Sequence, residues 1–249
     1  MFDEGDGPPI VVIPGLQGRW EWMLPALRAL SRRCRTISYS LGKAGTIAEL
    51  VAQVDRLLDD RGIPSAAVCG VSFGGLVALR YAASRRDRTS ALIMVSAPSP
   101  SWKPTPQQAQ YLARPWLSTP AFLATSPGRL WPEIRMAIDS PIGRVRFAAA
   151  HVARILAAPI VPAGMAARLG LLNGQDFLAD CARVTAPTLV VTGDEMLDQV
   201  VPVQSTREYA RLIAGARYEM MNGTGHIGLV TQPERFARIA GEFVHASHP

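Results

Sequence analysis

A serine between two glycines, in the run Gly70-Val71-Ser72-Phe73-Gly74, constrains the fold of this chain more than any other feature. The apolar residues 66–69 before it suit a buried strand, and residues 75–83 after it suit a helix packed on a sheet. A sharp strand-to-helix turn forces its central residue into strained backbone geometry, and glycine on both sides removes the steric collisions. The pattern predicts an exposed Ser72 hydroxyl at a sheet edge. The alternative is an ordinary glycine-rich turn that happens to contain serine.

The composition is that of a globular protein with one sizeable core. Of 249 residues, 48% are hydrophobic and 18% are charged, which argues against a disordered chain. No apolar run approaches the roughly 18 residues of a membrane span, and the acidic N-terminus does not have the pattern of a signal peptide. We therefore expect a cytoplasmic location. The three cysteines, Cys34, Cys69 and Cys181, share no metal-type spacing and predict neither a disulfide framework nor a metal site.

The net charge of +6 comes almost entirely from arginine, because Lys43 and Lys103 are the only lysines. The arginines are scattered in short groups and single positions, as at solvated helix ends, and do not form one basic stretch. We therefore expect no nucleic-acid partner.

Apolar strands alternate with amphipathic helices along most of the chain, which predicts an α/β fold with a mostly parallel sheet flanked by helices. Six strands are predicted, around residues 9–14, 36–39, 66–69, 91–95, 187–192 and 217–221. The alternation stops after residue 98, where prolines and tryptophans accompany helical segments up to residue 183. We predict a core domain of residues 1–98 and 184–249, with a helical cap of residues 99–183 over the sheet edge that carries Ser72.

A serine nucleophile needs a base within hydrogen-bonding distance and a carboxylate that orients the base. His226 follows the last predicted strand in a glycine-rich loop that should reach the same sheet edge as Ser72, whereas the other histidines lie in the cap or the C-terminal tail. The carboxylate should follow the fifth strand, where Asp194, Glu195 and Asp198 are available. We favour Asp198, because Asp194 stands where a carboxylate commonly bonds turn backbone.

In these features the chain resembles the α/β-hydrolases that carry a cap. The order Ser72, Asp198, His226 is the nucleophile–acid–histidine order of that family, and Pro14-Gly15 and Gly225-His226 match its patterns. The family commonly has His-Gly where this chain has Pro14-Gly15, a shorter acid loop, and two further strands at the start. Only nine residues precede Ile10, which leaves little room for those two strands. We therefore expect a sheet trimmed to about six strands.

The resemblance also implies a serine hydrolase with a triad of Ser72, His226 and Asp198 and with no metal or organic cofactor. By family position, the backbone N–H groups of Leu16 and Phe73 are the expected oxyanion donors. Candidate pocket residues are Gln17, Trp20 and Trp22 on the loop after Gly15, and Trp102, Trp116, Phe122 and Leu123 in the cap.

The expected substrate is a small carboxylic ester or a related acyl compound, handled by a monomer or a homodimer. The same triad also serves C–C bond, lactone and amide hydrolysis, acyl transfer and cofactor-free perhydrolysis, and fold analogy does not separate these reactions. The alternatives from other classes are a non-catalytic small-molecule-binding protein, and a lyase or isomerase that uses His226 as its base.

Overall fold

A seven-stranded sheet lies at the centre of the computed structural model, which describes residues 1–248 except the side chains of residues 107 and 118–123. The strands are β1 (Phe2–Glu4), β2 (Pro9–Ile13), β3 (Arg35–Ser38), β4 (Ala66–Val71), β5 (Thr89–Val95), β6 (Thr188–Thr192) and β7 (Arg217–Met220). Their order is β1-β3-β2-β4-β5-β6-β7, and every neighbouring pair is parallel except β1 with β3. The mostly parallel sheet predicted from the sequence is confirmed.

Helices cover both faces of this sheet and also fill the segment between β5 and β6. Two short 3-10 helices, Trp20–Met23 and Arg86–Arg88, accompany them. The α-helices are α1 (Leu24–Leu30), α2 (Ile47–Asp59), α3 (Phe73–Ser84), α4 (Pro106–Ala113), α5 (Pro115–Ala137), α6 (Pro141–Ala157), α7 (Pro162–Gly170), α8 (Phe177–Arg183), α9 (Val203–Arg207), α10 (Tyr209–Leu212), α11 (Gly228–Thr231) and α12 (Pro233–Ser247).

The strand β2 shows why the chain forms two apolar layers. Successive side chains of a strand point to opposite faces. Ile10 and Val12 join the cluster formed with α1 and α12, whereas Val11 and Ile13 join the cluster formed with α2 and α3. All four are buried, so the strand reads as a continuous apolar run, as expected for a parallel strand covered on both faces.

The prediction of about six strands is one strand short. β1 pairs antiparallel with β3, with Phe2 opposite Ser38. Phe2 is buried in the core, while the carboxylate of Asp3 accepts hydrogen bonds from Arg35 and Arg61. A three-residue strand with one apolar side chain has no periodicity that a sequence pattern could reveal, and its pairing depends on β3, far along the chain.

Five helices, α4 to α8, separate β5 from β6 in the region of the predicted cap, whose boundaries at residues 99 and 183 stay a prediction. The last of them, α8, packs against α3 of the core and places Phe177 and Cys181 in the core cluster. Among the described residues, no single helix has the length and hydropathy of a membrane span; α6 and α7 reach that threshold only when counted together, and they meet at an angle of 87°.

Backbone hydrogen bonds tie together the loops that leave the carboxyl ends of the central strands. Ser72 N–H donates to the carbonyl of Val95 at the end of β5, at 2.8 Å. Met221 N–H donates to the carbonyl of Thr192 at the end of β6, also at 2.8 Å. Because parallel strands end at one edge, the segments after β4, β6 and β7 are held side by side there.

Candidate active site

Ser72 lies at the strained turn between β4 and α3 that the sequence predicts. Its φ is 53°, in the left-handed region that residues other than glycine rarely occupy. A Cβ on Gly70 would lie 2.2 Å from the carbonyl oxygen of Gly74, and a Cβ on Gly74 would lie 2.4 Å from that of Ile13. The two glycines are therefore required by close backbone approach, and the Ser72 side chain stands at the edge of the sheet.

His226 and Asp198 form a pair at the same edge. The Nδ1 atom of His226 lies 3.2 Å from Oδ1 and 3.3 Å from Oδ2 of Asp198. Oδ1 also accepts the backbone N–H groups of Val200 and Val201, at 3.1 and 3.0 Å. Burial alone would raise the pKa of Asp198, but the hydrogen bond and charge of His226, together with these two N–H groups, hold its pKa below the usual value. Asp198 is thus stabilised as a carboxylate that faces an imidazole.

Asp194, the sequence-level alternative, has a different place. Its side chain accepts the backbone N–H of Gly223, and its own N–H donates to the carbonyl of Thr224 at 2.8 Å. These bonds fasten the loop after β6 to the loop after β7. Glu195, the third available carboxylate, accepts a hydrogen bond from Gln204. The structure therefore brings Asp198, and neither of the other two, to His226.

Ser72 and His226 are brought to one sheet edge but are not joined by a hydrogen bond in the described part of the chain. Each is placed by its own loop, Ser72 by the turn into α3 and His226 by the segment between β7 and α11. His226 remains partly exposed, with 13% of its side chain open to solvent. Catalytic hydrogen bonds are often long in unliganded sites and shorten when substrate binds.

The loop after β2 runs beside Ser72. A Cβ on Gly15 would lie 3.4 Å from the Cβ of Ser72. The N–H groups of Leu16 and Phe73, the expected oxyanion donors, bond no other described residue. Phe73 is the first residue of α3, and the first N–H groups of a helix have no partner within it. Both groups therefore remain available to an external acceptor.

Two charged residues of the helical segment, Glu133 and Arg168, contact the loops of this site and were not singled out from the sequence. Arg168 in α7 donates from Nε to the carbonyl of Leu16, at 2.8 Å, and from Nη2 to that of Gln17, at 3.1 Å. Glu133 in α5 is fully buried, and its Oε2 accepts the N–H of Ile227, beside His226, at 3.1 Å. Neither residue belongs to a local motif, so only their contacts identify them.

The predicted pocket residues have varied positions. Gln17 folds back toward Gly15, and Trp102 packs on the core cluster. Trp20 packs against Phe2 at the core cluster shared with α1 and α12, with ring centroids 5.9 Å apart. Trp116 is 65% exposed, which does not support a place in the pocket wall.

Two further aromatic predictions complete this set. Trp22 donates its indole N–H to the carbonyl of Ala158, at 3.0 Å, and so joins the core to the end of α6. The side chains of Phe122 and Leu123 lie outside the described residues.

Comparison with known proteins places this arrangement in a family. The model of the alpha/beta hydrolase family matches residues 10–239. The "Putative carbamate hydrolase RutD" of Stutzerimonas stutzeri is 29% identical over 251 residues, which cover 95% of this chain and 91% of that protein. The enol-lactonase of Burkholderia xenovorans LB400 is similar in structure, with a TM-score of 0.76, 22% identity, and coverage of 98% of this chain and 95% of that one. A hydrolase from Pseudomonas aeruginosa PA01 has a TM-score of 0.78 and 23% identity, with coverage of 97% and 92%. The chain belongs to the alpha/beta hydrolase family.

Proposed function

We propose that this hydrolase cleaves a small acyl compound through a serine nucleophile, with Ser72, His226 and Asp198 as its triad. The observation that carries the proposal is the meeting of a strained elbow serine and a hydrogen-bonded Asp–His pair, with a buried Asp198, at one sheet edge. A serine hydroxyl is a weak nucleophile at neutral pH until a base takes its proton. The ionised Asp198 holds His226 by Nδ1, so that Nε2 is the nitrogen left to act as this base.

The proposed reaction has two halves. In the first, Ser72 Oγ bonds to the substrate carbonyl carbon while its proton passes to His226, and the leaving group departs with that proton. In the second, His226 takes a proton from water, the water oxygen attacks the acyl carbon, and the proton returns to Ser72 as the acid leaves. Asp198 stabilises the imidazolium that forms in each half.

The proposed oxyanion site consists of the N–H groups of Leu16 and Phe73. Negative charge develops on the carbonyl oxygen as the tetrahedral intermediate forms, and donors already aimed at it require no reorganisation. Both groups lack an acceptor among the described residues, and the loop of Leu16 lies against Ser72. Loss of one such donor typically costs roughly 3 kcal/mol of transition-state stabilisation.

The substrate class we propose is a small carboxylic ester or a related acyl compound. The relatives named as carbamate hydrolases give a specific reason to include carbamates, whose carbonyl carbon is attacked in the same way. Lactone, amide and C–C bond cleavage, acyl transfer and perhydrolysis use the same triad, so the first experiment compares short-chain nitrophenyl esters, aryl carbamates and lactones.

A fluorophosphonate probe tests the nucleophile independently of the substrate. We expect one adduct on Ser72, and loss of both the adduct and the turnover in Ser72→Ala. Ser84→Ala, which changes an exposed serine at the other end of α3, is the matched control and should retain both. Full turnover by Ser72→Ala would refute the proposal, and absence of any adduct in the folded protein would favour the small-molecule-binding alternative.

A further inference from the structure

Glu133 is a fully buried carboxylate in the helical segment, and its hydrogen bonds go to the loop that carries His226. Its Oε2 accepts the N–H of Ile227 at 3.1 Å, and the backbone of Gly225 also lies against this carboxylate, where its N–H favours the ionised form. Its Oε1 accepts the hydroxyl of Thr231, in α11, at 3.2 Å. The two residues that flank His226 in the chain are therefore both in contact with one side chain.

The approach of Glu133 to this loop is close. A Cβ on Gly225 would lie 2.8 Å from Oε2 of Glu133 and 2.5 Å from the carbonyl oxygen of Leu197. The His226 loop is thus clamped between the segment that carries Asp198 on one side and α5 on the other. Asp198 holds the His226 side chain, and Glu133 holds the His226 backbone.

A buried carboxylate connects two helices only at a considerable cost in desolvation free energy. Among the described residues, no lysine or arginine forms an ion pair with Glu133, and His226 is the titratable group that interacts with it. Burial raises the pKa of Glu133, although the N–H groups of Gly225 and Ile227, the Thr231 hydroxyl and His226 act in the opposite direction. Apolar packing would be expected to hold α5 here at lower free-energy cost.

We propose that Glu133 is a positioning residue, which sets the orientation of His226 by holding the backbone on both sides of it. The inference rests on the proposed function, since it assigns Glu133 a role only through His226. The position of α5 then becomes part of the active site, because the orientation of His226 depends on the contacts that Glu133 makes with its loop.

Arg168 provides the comparison that isolates this role. Like Glu133, it is a charged residue of the helical segment that bonds a loop of the site, but it holds the carbonyls of Leu16 and Gln17 and makes no bond to the loop of His226 among the described residues. Loss of Arg168 should therefore disturb the loop that carries the N–H group of Leu16, a proposed oxyanion donor, without displacing His226.

The experiment measures kcat and KM for a nitrophenyl ester in Glu133→Ala and Glu133→Gln, each alone and combined with His226→Ala. A displaced catalytic group can lower the rate by roughly a hundredfold, so we expect kcat of Glu133→Ala to fall by about tenfold to a hundredfold with KM little changed. Glutamine retains an oxygen for the two N–H groups and should restore most of the rate. In the His226→Ala background, Glu133→Ala should have no further effect, because the group it positions is already absent.

Arg168→Met should lower the residual rate by the same factor with and without His226, and Asp139→Ala, which removes an exposed carboxylate near the end of α5, should behave as wild type. Thermal unfolding establishes that each variant is folded at the assay temperature. An equal loss from Glu133→Ala in both backgrounds would show a merely structural role and overturn the inference. Wild-type kcat in folded Glu133→Ala would also overturn it. Unchanged turnover in His226→Ala would instead refute the proposed function.

Discussion

Exchanging Asp198 for asparagine replaces one carboxylate oxygen with an amide nitrogen and leaves the size of the side chain almost unchanged. Oδ1 accepts the N–H groups of Val200 and Val201, so the amide oxygen should stay at that position. The amide nitrogen then takes the place of Oδ2, 3.3 Å from Nδ1 of His226. A donor at that position favours the tautomer with its proton on Nε2, which cannot accept the proton of Ser72.

The expected loss of activity follows from this change of tautomer and from the loss of the charge that stabilises the imidazolium. The corresponding change in a serine protease triad lowers kcat by about 10⁴-fold, which is about 5.4 kcal/mol of transition-state stabilisation. The expected change in folding stability is much smaller, within about 1 kcal/mol, because both backbone N–H groups keep their acceptor. Large inactivation without matching destabilisation is the signature of this substitution.

Two comparison variants make the measurement specific. Asp198→Ala should lose similar activity and also stability, by about 1–3 kcal/mol, because the N–H of the buried Val201 is left without an acceptor. Asp194→Asn changes the carboxylate that bonds Gly223 and should lower kcat/KM by less than about tenfold, since it removes no contact to His226. Ester turnover and urea unfolding are measured on all three.

Asp198 is not the triad acid if folded Asp198→Asn retains more than a tenth of the wild-type kcat/KM. If Asp194→Asn shows the large loss instead, Asp194 and not Asp198 is the triad acid.

The remaining predictions concern stability. Gly74→Ala should destabilise the fold by at least about 2 kcal/mol in urea unfolding, because its Cβ would lie 2.4 Å from the carbonyl of Ile13. Gly128→Ala, in an open stretch of α5, should be neutral or stabilising. Equal effects of the two substitutions would contradict the close backbone approach at Gly74. Phe2→Ala should cost about 3 kcal/mol and loosen β1, which hydrogen exchange of Phe2–Glu4 would report, and no cost would mean that β1 is not docked. Burial raises the pKa of Glu133, so the folded protein binds this proton more tightly than the unfolded chain does, and the associated stability is lost as pH rises above the usual value of 4.5. The stability of Glu133→Gln relative to wild type should therefore increase as pH rises from that value, and a pH-independent difference would be inconsistent with a buried ionisable Glu133.

Short-range patterns in the sequence determined the fold class and the candidate reactive groups. The apolar runs around β2, β4, β5 and β6 are long enough to identify buried strands without knowledge of their neighbours. The elbow at Ser72 is readable because the glycines on both sides are adjacent in the chain. His226 and Asp198 were found for a related reason: each follows a recognisable strand, and parallel strands bring their carboxyl ends to one edge.

The tertiary structure alone decided which groups meet. The choice between Asp198 and Asp194 depends on how the loop after β6 turns, and one carboxylate faces His226 while the other fastens that turn. Glu133 carries no local signal, because its partners Ile227 and Thr231 lie 94 and 98 residues further along the chain. The strand β1 was missed for the same physical reason, since its stabilisation comes from β3 and the core and not from its own three residues. Patterns within the chain therefore identify the candidate reactive groups, whereas contacts across the fold determine how those groups are held.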